Sequence, residues 1–299
     1  MLTSSSTAPT PPRLKPGTTR PMPWWLPLLR IPLAVLSRVM PYVVARLLFR
    51  AFTTPRIRAR HRHADRVVQQ ARVTELLHGQ YLLKRYDWGD PAHPAVVVVH
   101  GWESRGTAFR ALVMPLLAQG YRVVAFDGPA HGHSSGKRTH LLHHAGALQA
   151  VIASLPDVRA IVAHSFGGHA SILALHHLMP HFHLPRLVLV GAPLSARLVF
   201  ERTLQQIGAP VGLIDPFMAY VTRRFGVTEA LLDNRKPDLN IAAGLVIHDL
   251  YDDVVPHEDA RQIADALPNT QLLTTLDEGH FKLLRQPSVV ERIVSFIVA

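Results

Sequence analysis

From residue 73 onward the sequence predicts an α/β fold: a mostly parallel eight-stranded sheet with helices on both faces. Three observations carry this. Short β-like runs alternate with helical runs, the order that builds strand–helix–strand crossovers. Ala95–Val99 is a continuous apolar run, as expected of a strand buried on both faces. The first two strand-like runs, Arg72–Gln80 and Tyr81–Trp88, leave no room for a helix between them, which predicts an antiparallel edge.

The remaining elements follow in order. Thr107–Gln119 reads as helix, Tyr121–Phe126 as strand, Thr139–Ser154 as helix, Val158–Ala163 as strand and Gly167–Leu178 as helix. Arg186–Val190, Ile241–Ile247 and Thr270–Leu276 read as the last three strands, with a helix at His257–Leu267 and a closing helix at Val289–Val298. One connection breaks the rhythm. Residues 195–240 separate two strands by far more chain than a single helix needs, and they carry apolar runs such as Leu198–Phe200 and Phe217–Val221. This stretch is expected to be a helical cap inserted into the domain at 73–299. No internal repeat is visible.

The N-terminal part differs in composition. Residues 1–23 are rich in Ser, Thr and Pro and are expected to be a disordered tail. Residues 24–72 read as a basic, apolar helical arm. Between 24 and 52 the arm is interrupted by Pro27, Pro32 and Pro41 and by Arg30, Arg38, Arg46 and Arg50. Its uncharged runs fall well short of the ~20 residues that span a bilayer. It is also a poor signal peptide, because the apolar run starts late and has no small-residue cleavage site. A cytoplasmic location is expected. The arm has three open readings: packing on the body, a dimer contact, or peripheral contact of residues 24–62 with a membrane, for which Trp24, Trp25 and a basic rim are suited.

The net charge of +11 is located rather than diffuse. Residues 1–73 hold 13 Arg and Lys against Asp65 alone, and residues 74–299 hold 19 against 20 acidic residues. The body is therefore nearly neutral, and with no zinc-finger or RNA-binding signature no nucleic-acid partner is expected. The chain of 299 residues has no cysteine, which rules out disulfides, thiolate metal sites and a Cys nucleophile. The 19 histidines show no His-Glu-x-x-His or comparable ligand spacing, so neither metal nor cofactor is expected.

The chemistry is concentrated in a few short segments. Ile161-Val162-Ala163-His164-Ser165-Phe166-Gly167-Gly168 ends a buried strand at a small residue, turns sharply at Ser165 and enters a helix through two glycines. This is a nucleophile elbow, with Ala163 where Gly is commoner. The strained turn exposes the hydroxyl at a helix N-terminus, where developing negative charge is favoured. His100-Gly101-Trp102 closes the buried strand at 95–99, and Phe126-Asp127-Gly128-Pro129-Ala130-His131-Gly132-His133-Ser134 follows the next one.

Together these segments, in this order and spacing, resemble the α/β-hydrolase superfamily, and in particular its bacterial serine-hydrolase branches of esterase and lipase type. The resemblance covers roughly residues 73–299. It implies the α/β-hydrolase fold and a small-molecule acyl substrate. It also implies that the loop at His100 and Gly101 borders the active site, with the backbone amides of Trp102 and Phe166 forming the oxyanion hole. Glu103 is awkward beside an oxyanion and is expected to point away, toward Arg105. In this family the Asp127 and His131 positions are structural more often than catalytic.

A serine needs a base, and the base an orienting acid. Family order places them as Ser, acid, His. Gly279-His280 lies after the last predicted strand and matches the family's Gly-His turn. His248-Asp249-Leu250-Tyr251-Asp252-Asp253-Val254-Val255-Pro256 follows the family pattern H-G-x-x-D-x-x-V-P with Asp249 in place of the usual Gly, which points to Asp252, with Asp249 as the second candidate and Asp253 as the third. Gly191-Ala192-Pro193, the family's other acid position, carries no carboxylate. The expected activity is hydrolysis of a carboxylic ester or thioester. Acyl transfer to an alcohol or C–C hydrolysis would use the same residues. A non-catalytic binding protein on this fold is the rival from another class.

Overall fold

The computed structural model of the chain describes residues 30–60 and 65–299. The predicted tail at 1–23, residues 24–29 with Trp24 and Trp25, and Arg62 lie outside the described residues. The chain enters through α1 (Arg30–Val39) and α2 (Pro41–Phe52), then a single turn, α3 (Arg66–Gln69). Pro41 sits at the first turn of α2, where its missing N–H costs nothing but where α1 cannot continue through it.

Eight strands form one sheet: β1 (Arg72–His78), β2 (Tyr81–Trp88), β3 (Ala95–Val99), β4 (Arg122–Phe126), β5 (Val158–His164), β6 (Leu184–Val190), β7 (Ile241–Asp249) and β8 (Thr270–Thr275). Their spatial order is β1-β2-β4-β3-β5-β6-β7-β8. The β1 and β2 strands pair antiparallel, and β2 pairs antiparallel with β4. Every later pairing is parallel. This is the predicted sheet, with the predicted antiparallel edge.

The central strands are buried on both faces because helices cover both. α4 (Arg110–Ala118) lies on one face with α11 (Pro287–Val298), over Val96, Val98, Val123, Val162 and Val188. The other face is covered by α5 (Leu141–Ala153), α6 (Phe166–Leu173) and α9 (His257–Ala266), over Val97, Val99, Val124, Ile161 and Leu187. Alternation along each strand sends neighbouring valines to opposite cores, which is why all five residues of β3 are apolar. A buried ion cluster closes the antiparallel edge. Asp87 accepts from Arg85 at 2.8 Å and from the Nε of Arg122 at 3.0 Å.

The connection between β6 and β7 carries two helices, α7 (Ala196–Gln206) and α8 (Ile214–Phe225). A four-residue helix, α10 (Gly279–Lys282), follows β8. The α7 and α8 helices pack against the N-terminal arm. Phe49 of α2 meets Phe217, Tyr220 and Phe225, and Phe52 meets Phe200 edge-on at 4.9 Å. Val44 and Ala45 are buried. The arm's inner face is thus part of the same apolar cluster that holds Phe200, Leu213, Phe217 and Phe166.

The strand order reverses at β3, with β4 on one side and β5 on the other. Loops leaving the C-terminal ends of β3 and β5 therefore open a crevice, the usual place for a site in an open α/β sheet.

Candidate active site

Ser165 stands at the C-terminal end of β5 with φ 53° and ψ −123°, a conformation disfavoured for any residue with a side chain. The turn is held from below by the Ser165 N–H, which donates to the Val190 carbonyl at 2.9 Å. It is held from the side by glycines. A Cβ at Gly167 would lie 2.5 Å from the carbonyl oxygens of Val99 and His100, and one at Gly101 would lie 3.1 Å from the Ser165 Cβ. The two glycines let the β3 loop and the α6 N-terminus close on the serine.

The turn after β8 brings His280 to Ser165. The His280 Nε2 lies 2.8 Å from the Ser165 Oγ, and its Nδ1 lies 2.6 Å from the Asp252 Oδ2. The His280 and Asp252 side chains are almost fully buried. The other Asp252 oxygen accepts the amides of Val254 and Val255, both at 2.8 Å. Burial alone would raise this carboxyl. Hydrogen bonds from His248 and His280 outweigh it and hold Asp252 well below the usual carboxylate range. Gly191 makes room, because a Cβ there would sit 3.1 Å from the imidazole of His280.

The alternative acids are placed elsewhere. Asp249 is buried and accepts from the Tyr251 amide, the Thr275 hydroxyl and the Glu278 amide. It fastens the end of β7 to the turn that carries His280. Asp253 is exposed.

Two histidines that sequence reasoning did not assign support this chain. The Nε2–H of His164 donates to the backbone carbonyl of His280 at 2.9 Å. Burial first, then the neighbouring His280, push His164 down to about 3, so it remains a neutral donor. His248 donates to the Val255 carbonyl at 2.8 Å and lies 3.3 Å from the Asp252 Oδ2. The signals were present: His164 adjoins Ser165, and His248 stands four residues before Asp252.

The β3 loop is pinned by the loop after β4. The Gly128 N–H donates to the His100 Nε2 at 2.8 Å, and the His100 Nδ1–H donates to the Gly101 carbonyl at 2.7 Å. The Glu103 N–H donates to the His131 Nε2 at 3.0 Å. Burial pushes His100 down to about 4 and His131 to about 3, which keeps both rings neutral and able to accept. Asp127 accepts from the amides of Gly106 and His133 and from the Tyr86 hydroxyl, tying the two loops together away from Ser165. The Trp102 and Phe166 rings meet edge-on with centroids 5.4 Å apart. Among the described residues neither amide donates to a protein acceptor.

Glu103 does not reach Arg105, whose Nε donates to Thr107. Its carboxylate accepts the backbone N–H of Arg56 at 2.7 Å. The segment following α2 crosses the loop, and a backbone donor 47 residues away leaves no trace in local spacing. Among the described residues no group of three or more ligating side chains is placed to hold a metal ion.

Residues 96–293 match the alpha/beta hydrolase family, and the chain belongs to it. An uncharacterized hydrolase of Bacillus subtilis, YugF, is 25% identical over 252 residues, covering 70% of this chain and 91% of that protein. Two solved structures share the fold. The thioesterase domain from the curacin biosynthetic pathway has a TM-score of 0.56 at 21% identity, covering 77% of this chain and 99% of the domain. A Pyrococcus furiosus esterase, Pf2001, has a TM-score of 0.57 at 18% identity, covering 80% of this chain and 97% of the esterase.

Proposed function

We propose that this member of the alpha/beta hydrolase family is a serine hydrolase that cleaves a carboxylic ester or thioester through an acyl-enzyme. The observation that carries the reading is the unbroken run of short hydrogen bonds from Asp252 through His280 to the Ser165 Oγ. The Ser165 Oγ attacks the acyl carbonyl as the His280 Nε2 takes its proton. The ionised Asp252 keeps the Nδ1–H of His280 in place and stabilises the imidazolium that forms. The amides of Trp102 and Phe166 are the donors for the tetrahedral oxyanion. His280 then returns the proton to the leaving oxygen or sulfur, and water repeats the sequence to release the acid.

Ser165→Ala tests this. It should abolish labelling by a fluorophosphonate and lower turnover of short p-nitrophenyl esters by about 10³-fold or more, while leaving the far-UV circular dichroism unchanged. Ester turnover at the wild-type rate in the alanine variant would refute the assignment.

A further inference from the structure

The two N-terminal helices have an inner face and an outer one. The inner face of α2 is committed to the body through Val44, Ala45, Phe49 and Phe52. The outer face is apolar and exposed among the described residues: Val39 is 73% exposed and Leu47 55% exposed, and Leu36, Met40 and Val43 are exposed beside them. Exposed guanidinium groups at Arg38, Arg46 and Arg50 stand around them. Residues 30–60 contain seven arginines and no acidic residue, and the next acid in the chain, Asp65, is already paired with Arg110.

We propose that this outer face docks on the surface of an anionic lipid bilayer. An apolar helical face edged by arginines that pair with no acid among the described residues matches an interface that offers acyl chains below a plane of negative headgroups. Charge argues against a second copy of this chain as the occupant. A two-fold contact would set the same arginines against each other with no acid in the segment to neutralise them. Neither helix spans a membrane: α1 has 10 residues, α2 has 12, and Pro41 separates them. The docking is superficial. The same element leads directly to the candidate active site, since α2 packs on α8 and the segment after it holds Glu103 through the Arg56 amide. The docked face and the rim of the site therefore belong to one connected piece of structure. The docking does not depend on the hydrolase reading.

The test uses the full chain and vesicles of phosphatidylcholine alone or mixed with phosphatidylglycerol. Wild-type protein should co-sediment with the anionic vesicles, weakly with the neutral ones, and less at about 1 M than at about 0.1 M salt, because screening shortens the reach of the arginines. The double variant Val39→Glu, Leu47→Glu should lose about tenfold or more in vesicle partitioning. Both positions are exposed, so its circular dichroism and fluorophosphonate labelling should match wild type, which separates a failure of docking from a failure of catalysis. Arg38→Glu with Arg46→Glu should remove the preference for anionic lipid. Equal partitioning of wild type and the Val39→Glu, Leu47→Glu variant would overturn the proposal. So would a wild-type dimer in sedimentation velocity that this variant dissociates, with no vesicle binding by the wild type.

Discussion

Asp249 ends β7 and Asp252 stands three residues on in the turn that follows, yet their surroundings give them different work. Asp252 presents one oxygen to the His280 Nδ1 and fills the other with two amides. Asp249 spends both oxygens on groups of the β7 and β8 loops. Asp252→Asn should therefore lower kcat by roughly 10³- to 10⁴-fold, because the amide no longer holds the correct tautomer of His280. Its effect on stability should be small by comparison. Asp249→Asn should do the reverse. It leaves a buried donor unmatched, costing about 1–3 kcal/mol of stability, with a far smaller loss in kcat. Ester kinetics and urea unfolding of the two variants check both statements, and a reversed ranking would transfer the acid role to Asp249. At this scale Ser165 was legible because a tight turn demands glycines at set positions. His280 and Asp252 were legible through a Gly-His turn and a Val-Pro spacing. The roles of His164 and Glu103 were not legible. Their partners, His280 and Arg56, lie 116 and 47 residues away, and no local pattern reports a contact of that range.

Among the elements, the inner strands could be read from the sequence because burial on both faces writes itself as short apolar runs bounded by turns, whereas the largely exposed edge strands β1 and β8 were legible from their place in the alternation of strands and helices. Their ends moved by a residue or two where the last pair in a ladder is set by the neighbouring strand. Two predicted helices are less regular than their patterns. The 107–119 segment begins as a 3₁₀ turn at Gly106–Phe109, and the helix after Ser165 widens into a π turn at Ala174–Leu178. The arm shows what periodicity leaves out. An amphipathic pattern says that a face is buried but not against what, and here the partner is the α7–α8 insertion, more than 140 residues on. Phe52 is the centre of that contact, edge-on to Phe200 at 4.9 Å and 5.8 Å from the Phe217 ring. Phe52→Ala should cost about 3 kcal/mol, at the lower end for a buried aromatic because its own ring is only partly covered. The measurement is a urea midpoint together with limited proteolysis. The arm should be cut faster than in wild type, and if stability and cutting rate are both unchanged, the arm does not pack on the insertion as described.

Across the whole molecule, the unusual stock of histidine turns protonation into a determinant of stability. Among the described residues, five buried rings are held neutral. Burial is the leading cause at each, and it pushes His100 and His169 down to about 4, His131 and His164 to about 3, and His144 well below its ordinary value. An unfolded chain protonates each of them near pH 6.5. Between that point and the folded values the unfolded state binds more protons, so stability is full above about pH 6.5 and falls as the pH drops through this window. Each ring contributes a slope of up to about 1.4 kcal/mol per pH unit, and several together can exhaust the stability of an ordinary domain. Asp252, held low, adds a loss in the more acid part of the range. Asp127, raised by burial, opposes it. Acid unfolding should accordingly begin above the range in which carboxylates titrate. His144 isolates the effect, because it is fully buried among His100, His131, Phe126 and Phe166 and neither ring nitrogen has a hydrogen-bond partner among the described residues. His144→Leu should flatten the fall in urea midpoint from about pH 8 to about pH 5 by close to one proton's worth, and should leave ester turnover at neutral pH near wild type. A variant with an unchanged slope would mean that His144 is protonated in the fold, and that a charge is sustained in the cluster behind the β3 loop.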